Sequence, residues 1–204
     1  MQILGIDTGG SGVKARVIDV DQGTLVGERL RIPTPEPATP KAMQETVTRR
    51  VRKFSWQDVV GCGFPGVVRD GRVMTAANID ASWIGTDAAT LFADATGCPF
   101  HVLNDADATG IAEMRFGAGR ERKHLSWSKS GKRFNRPLQW MEELLWPDRF
   151  IIGGGASKKF ARFFPQIEVK AEIVPAQLRN EAGIIGAALA AAQERESPHF
   201  LERA

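Results

Sequence analysis

Ile3-Leu4-Gly5-Ile6-Asp7-Thr8-Gly9-Gly10-Ser11-Gly12-Val13-Lys14 opens the chain, and the reading of the rest depends on it. The apolar run has the length and composition of a buried strand, and Asp7 stands at its end. The glycines that follow let backbone N–H groups come close to an anion, because no Cβ intervenes. Val13-Lys14 then begins a second strand. An aspartate at such a turn can hold Mg²⁺, which usually accompanies bound phosphate. The stretch therefore suits a phosphate-binding hairpin. It equally suits an ordinary Gly-rich β-hairpin with a surface aspartate, and taken alone it does not separate the two.

Working outward, the signals alternate between strand and helix. Strands are expected at 2–7, 13–20 and 24–32, with Asp21-Gln22-Gly23 turning the last two into an antiparallel meander. Prolines 33, 35, 37 and 40 mark a loop. Thr39-Pro40 makes a helix start, and the helix runs to about Phe54. Arg49, Arg50, Arg52 and Lys53 fall in its last turns, where cations suit the helix dipole without any ligand. A strand at 59–64, a hairpin around Asp70-Gly71 and a helix at 87–95 follow, the helix with Thr86 as N-cap and Gly97 beyond its end. A strand at 100–103 leads into a helix at 105–115. A helix at 132–145 has apolar spacing at Leu138, Met141, Leu144 and Leu145 and stops before Pro147. A strand at 150–152, a helix at 157–164, a strand at 168–174 and an alanine-rich helix at 180–193 complete the pattern. Residues 194–204 read as a flexible tail. Such alternation predicts an α/β architecture.

Composition narrows the function. A chain of 204 residues with 43% hydrophobic and 25% charged residues suits one large globular domain or two small ones. Cys62 and Cys98, the two cysteines, support neither a disulfide framework nor a zinc cluster. Cys62 lies in the apolar run 59–64, where cysteine behaves as a small hydrophobe. No basic segment followed by a long apolar run opens the chain, and Ala182–Ala192 is too short to span a bilayer. The expected location is cytoplasmic, with no membrane partner. The formal net charge is +3, yet Arg120–Arg136 alone holds seven Lys or Arg against one acid, Glu121. That block suits a polyanion, but taken singly it reads first as a solvated basic face.

Two further constellations carry chemistry. Asn104-Asp105 ends the 100–103 strand, where α/β sheets bind their ligands. An aspartate there can take a proton from an attacking hydroxyl, although Asn and Asp also cap helices. Gly153-Gly154-Gly155 joins a strand to a helix and can bring backbone close to a base or phosphate. It can also be a plain β-to-α turn. Its spacing is not Gly-x-Gly-x-x-Gly, which argues against a dinucleotide site. Asn78, in Thr75-Ala76-Ala77-Asn78, can face a polyhydroxy ligand or simply turn the chain.

In this order the stretches resemble ROK-family sugar kinases, most closely the polyphosphate-using glucokinases among them. The resemblance is carried by Gly5–Lys14, Arg31-Ile32-Pro33-Thr34-Pro35, Phe64-Pro65-Gly66-Val67-Val68, Thr75–Asn78, Ser82–Asp87, Asn104–Asp107, Arg115–Gly119, Leu145-Trp146-Pro147-Asp148 with Gly153–Gly155, and Val174–Leu178. It implies an actin-like ATPase (ribonuclease H-like) fold in two lobes. The N-terminal lobe would be 1–104, with the 180–193 helix packing back on it, and the C-terminal lobe 105–179. It implies phosphoryl transfer from polyphosphate or ATP to the 6-hydroxyl of glucose, with Mg²⁺. By position, Asp7, Gly9, Gly10, Ser11 and Lys14 match the phosphate motif, with Asp7 also the Mg²⁺ ligand. Asn78, Asn104 and Asp105 match glucose-binding positions, Asp105 also the catalytic base. Gly154 and Gly155 match the nucleotide side. A homodimer with no nucleic-acid partner is implied too. The repressor branch of the family is disfavoured, because its N-terminal DNA-binding domain has no counterpart before the hairpin. Lys129, Lys132, Arg133, Lys158 and Lys159 are candidates for a polyanion.

The chain also departs from the family pattern. After Gly119 the family's Gly-Thr-Gly second phosphate loop and its Glu-x-Gly-His segment are absent, so the second lobe is expected to be shortened near 122–124. The alternative to an active kinase is then an inactive sugar- or phosphate-binding remnant.

Overall fold

The computed structural model describes residues 1–10, 12–77, 79–120, 125–128, 135–153, 161 and 164–196. The chain divides into two compact units, Met1–Ile111 with Gly183–Ala204, and Ala112–Ala182.

The first unit is built on a five-stranded sheet. Its strands are β1 (Gln2–Gly9), β2 (Gly12–Asp19), β3 (Thr24–Ile32), β4 (Val60–Phe64) and β7 (Phe100–Asn104), in the order β3-β2-β1-β4-β7. β1–β3 form the expected antiparallel meander, and β4 and β7 add in parallel. Each parallel step is bridged by a helix: α1 (Pro40–Lys53) before β4, and α2 (Ala88–Thr96) before β7. Side chains alternate across the sheet. Leu4 and Ile6 of β1 join Met43, Val47 and Val51 of α1 and Phe92 of α2 in one core cluster. Gly5 faces the other way, against α5 (Ala182–Arg195). Phe64 and Trp83 meet edge to face at 4.7 Å, and Trp83 Nε1 donates to Ala38 O at 2.8 Å.

α5 is the alanine-rich segment seen in the sequence, and it is buried from Ile184 to Ala192. Its approach is unusually close. A Cβ on Gly5 would overlap Ile184 O, one on Gly61 would overlap Ala187 O, and one on Gly186 would overlap Ala108 O of α3 (Asp105–Phe116). Alanine and glycine on the helix and glycine on the strands thus replace interlocking side chains with backbone contact.

Local signals explain most boundaries. Thr39 caps α1, its Oγ1 accepting from Ala42 N, and Pro40 fills the first turn. Asp70 and Gly71 both have positive φ, 49° and 76°, and turn the small hairpin β5 (Val68–Arg69)–β6 (Arg72–Val73). One expectation is corrected. Asp87, not Thr86, caps α2, accepting from Thr90 N at 3.0 Å. Thr86 is taken up by the preceding 3₁₀ turn, Ala81–Trp83, where its hydroxyl donates to Ser82 O.

The second unit has a three-stranded parallel sheet in the order β10-β9-β8: β8 (Leu125–Ser128), β9 (Arg149–Ile152) and β10 (Glu172–Pro175). The sequence reading did not anticipate β8. β10 begins four residues later than expected at 168. Glu142 of α4 (Asn135–Leu145) accepts from Lys170 N and Ala171 N, at 2.7 and 2.6 Å, and so diverts that backbone from the sheet. Leu138 packs with Phe150, Ile152 and Ile173, and Met141 flanks them. Leu144 and Leu145 of the same apolar spacing are instead exposed. Of the helix expected at 157–164, residues 157–160, 162 and 163 lie outside the described residues, and Phe164–Gln166 is a 3₁₀ turn. Glu113, fully buried, accepts from Ala118 N, Gln177 N and Leu178 N at 2.7–3.1 Å. It ties together two of the stretches that carry the family resemblance. Gly117 must be glycine there, since its Cβ would overlap the Glu113 carboxylate.

Candidate active site

Sheet register assembles the site in the first unit. Asp7 of β1 pairs with Gly63 of β4, and Gly63 pairs with Leu103 of β7. At a strand spacing of about 4.8 Å, Asp7 and the start of α3 stand about 10 Å apart on one edge of three parallel strands. This is the carboxyl end of the sheet, where open α/β folds bind ligands. The buried Thr8 hydroxyl donates to Gly63 O at 2.8 Å and locks β1 to β4 at that level.

Asp7 and Lys14 are directly opposed across the β1–β2 ladder, so both project on one face. Lys14 Nζ donates to Asp7 Oδ2 at 2.8 Å, with both side chains largely sheltered. Gly9 and Gly12 pair at the end of that ladder, where the hairpin turns. The Thr34 hydroxyl donates to Gly9 O at 2.6 Å and anchors that turn from the proline-rich loop. Gly12 is held to glycine by β3, because a Cβ would lie 2.9 Å from Arg31 Nε and 3.0 Å from Ile32 O. Gly9 has no such crowding. Ser11 lies outside the described residues.

Asn104 ends β7 and does two local jobs. Its Oδ1 accepts from Ala106 N and Asp107 N, at 2.8 and 3.3 Å, which caps α3. Its Nδ2 donates to Gly66 O at 2.8 Å. The capping reading of Asn104 is therefore correct, and one amide N–H is left for a ligand. Asp105 is the first residue of α3 and is half-buried. Gly63 of β4 lies beside it: a Cβ there would stand 3.7 Å from Asp105 Cα and 3.8 Å from Gly183 O, ordinary contact distances. Gly183 packs against the Asp7 carboxylate, where a Cβ would stand 3.4 Å from Asp7 Oδ2, an ordinary contact distance. Asp7, Gly63, Asp105 and the first turn of α5 thus converge.

Gly66 connects the next segment. Its Cβ would overlap Thr75 O, and Thr75 Oγ1 accepts from Val67 N at 3.0 Å. The chain leading to Asn78 is thereby tied to the Asn104 corner. Asn78, Gly154, Gly155, Lys129, Lys132, Arg133, Lys158 and Lys159 lie outside the described residues. Sequence reasoning missed Thr8, Thr34, Gly63 and Gly183. The signal for Gly63 was available in Gly61-Cys62-Gly63, where glycines alternate with a buried residue in a strand.

Two chemistries can be narrowed. Burial, and then the Asp7 charge, push the Cys62 thiol far above its usual range, so it is no nucleophile. Among the described residues no three His, Cys, Asp or Glu gather as a metal site. At the Asp7 carboxylate, Oδ2 accepts from Lys14 Nζ and Oδ1 is the remaining oxygen for a metal. That donor set fits Mg²⁺, which takes one or two carboxylates and completes its shell with water and phosphate oxygens.

Comparison with known proteins follows this geometry. A family profile described as "ROK family" matches residues 3–127. Polyphosphate glucokinase of Mycobacterium tuberculosis is 37% identical, over 92% of this chain and 90% of its own. That alignment has 238 positions, which 92% of 204 residues cannot fill, so about 50 positions fall opposite a gap in this chain. The shortening expected from the missing motifs is thus present. The crystal structure of inorganic polyphosphate/ATP-glucomannokinase from Arthrobacter sp. strain KM superposes with a TM-score of 0.87 at 34% identity, covering 95% of this chain and 99% of that one. A ROK family glucokinase from Streptomyces griseus, in complex with glucose and AMPPNP, superposes at 0.80 with 20% identity, over 95% of this chain and 100% of that one. The fold is the expected actin-like ATPase fold. No helix among the described residues is long and apolar enough to cross a membrane.

Proposed function

The chain belongs to the ROK family, and on that premise we propose that it is a glucokinase, moving the terminal phosphoryl group of inorganic polyphosphate or ATP to the 6-hydroxyl of glucose. The observation that carries this reading is the register that sets Asp7–Lys14 and Asn104–Asp105 at one edge of the sheet, on strands separated only by β4. The two compact units serve as the two lobes, and the protein acts in the cytoplasm as a homodimer.

Asp105 accepts the proton of the sugar hydroxyl as its oxygen attacks phosphorus. Asn104 offers its remaining amide N–H to the sugar, and Asn78 is a further sugar ligand by its position in the family pattern. Lys14, held at Asp7, sits where a single positive charge offsets that building on the transferred oxygens. Gly9, Gly10 and Ser11 cradle the donor phosphates through backbone N–H groups, with Gly154 and Gly155 on the nucleotide side. Mg²⁺ held by Asp7 would neutralise donor oxygens. Replacing Asp105 by Ala is expected to lower glucose 6-phosphate formation by at least 10²-fold, with glucose binding by calorimetry partly retained. Unchanged turnover would refute the assignment.

A second reading is favoured by the gap of about 50 aligned positions: an inactive remnant that binds sugar or phosphate. A purified protein of intact mass near 22.3 kDa that forms no glucose 6-phosphate from either donor supports the remnant. Turnover at that mass rules it out.

A further inference from the structure

The C-terminal half of α1 carries arginine charge that no carboxylate among the described residues pairs with. Arg49 and Arg52 are exposed and one helical turn apart, so they share a face. With Gln44, Glu45 and Thr48 of α1 and Ala95 of α2, they line a groove of about 530 Å³, within the range of small-ligand sites. Neither arginine forms an ion pair with a carboxylate among the described residues. Arg49 has only a long contact to Thr46 Oγ1 at 3.4 Å. Even Glu45, four residues before Arg49 in the orientation that favours pairing, makes no bridge to it.

Arg50 sharpens this. It is only 7% exposed, and its Nε has no hydrogen-bond partner. Burial, and then the neighbouring charge of Arg49, hold its guanidinium below the usual arginine range. A helix C-terminus favours a nearby cation by only about 0.3–1 kcal/mol. That does not account for two unpaired guanidinium groups over a groove and a third buried behind them.

We infer that this groove is a second anchor for the donor, holding the distal part of a long inorganic polyphosphate chain. The inference rests on the donor reading given above. Guanidinium forks match phosphate oxygens bidentately, and the half-exposed Thr48 hydroxyl adds a donor. Position selects the polymer. The loop before α1 is tied to the hairpin through Thr34 and Gly9. α1 then carries the arginines about 15–20 Å away along its axis. A polymer can occupy hairpin and groove together and gain from the tether. ATP and tripolyphosphate cannot.

The test combines binding and turnover in Arg49→Ala/Arg52→Ala, two exposed sites whose loss leaves the fold intact. Binding of fluorescent long-chain polyphosphate, followed by anisotropy without glucose across a salt series, is expected to weaken about 10-fold in the double variant. The slope of log affinity against log salt is expected to fall by about two. KM for long-chain polyphosphate rises in parallel, while KM for ATP and tripolyphosphate stays within twofold. Unchanged long-chain affinity and slope overturn the inference, and so does equal weakening of all three donors. A wild-type protein that forms no glucose 6-phosphate from any of the three donors refutes the kinase reading alone, since anisotropy still reports the groove.

Discussion

The two units carry out the same task, covering a parallel sheet, by different means. In the first, five strands are sealed on one face by a helix that touches backbone with backbone, through Gly5, Gly61 and Gly186. In the second, three short strands are covered by α4, whose Leu144, Leu145 and Trp146 stand in solvent. There one buried carboxylate, Glu113, holds the connecting loops by hydrogen bonds. The difference shows where rigidity is placed. The Asp7 and Asp105 corner sits on the part of the molecule with least room for change. The unit next to the missing segment relies on polar ties.

The contrast predicts unequal tolerance. Gly186→Ala, one added methyl group, places a Cβ inside Ala108 O. It is expected to cost more than about 4 kcal/mol, read as collapse of the urea midpoint. A loss under about 1 kcal/mol would break the account of α5 as a backbone-fitted helix. In the second unit, Glu113→Ala leaves three backbone N–H groups, one buried and two part-buried, without their acceptor. A loss of about 3 kcal/mol follows, with Glu113→Gln recovering part of it. The first unit's chemical-shift fingerprint should stay in place if the two units are as separable as the contrast holds.

The smallest effect concerns pH. Burial depresses the His101 imidazole below its ordinary value, and Glu194, 3.9 Å away, opposes the shift without cancelling it. The unfolded chain then binds the proton more readily than the folded one. The contribution is complete above the ordinary histidine pKa of about 6.5 and fades as pH falls below it. His101→Gln should flatten that part of the stability profile, measured by urea titration between pH 5 and 8. An unchanged slope would remove His101 from the account.

Legibility followed range. The meander β1–β3, the Thr39 cap, the Asp70-Gly71 turn and the alanine-rich helix were all readable, because each rests on neighbours within a turn or a strand. Thr86 was misread as a cap because a 3₁₀ turn claimed its hydroxyl. The apolar spacing of α4 includes Leu144 and Leu145, which are exposed, because periodicity names a face and does not say how far the partner sheet extends. β10 was misplaced because Glu142, some 28 residues away, captures the backbone before it.

The site divides along the same line. The sequence by itself determined which groups are available: a carboxylate and a lysine on one hairpin, an Asn-Asp pair at a strand end, glycines between them, and a family pattern with a segment missing. Tertiary structure alone decided that Asp7, Gly63 and Leu103 share one level of the sheet. It also decided that Asn104 gives its carbonyl to α3, and that Gly183, 176 positions after Asp7, packs beside that carboxylate. Pairing register and close approach depend on residues far apart in the chain, whose meeting is set by the packing of the whole sheet rather than by any local preference.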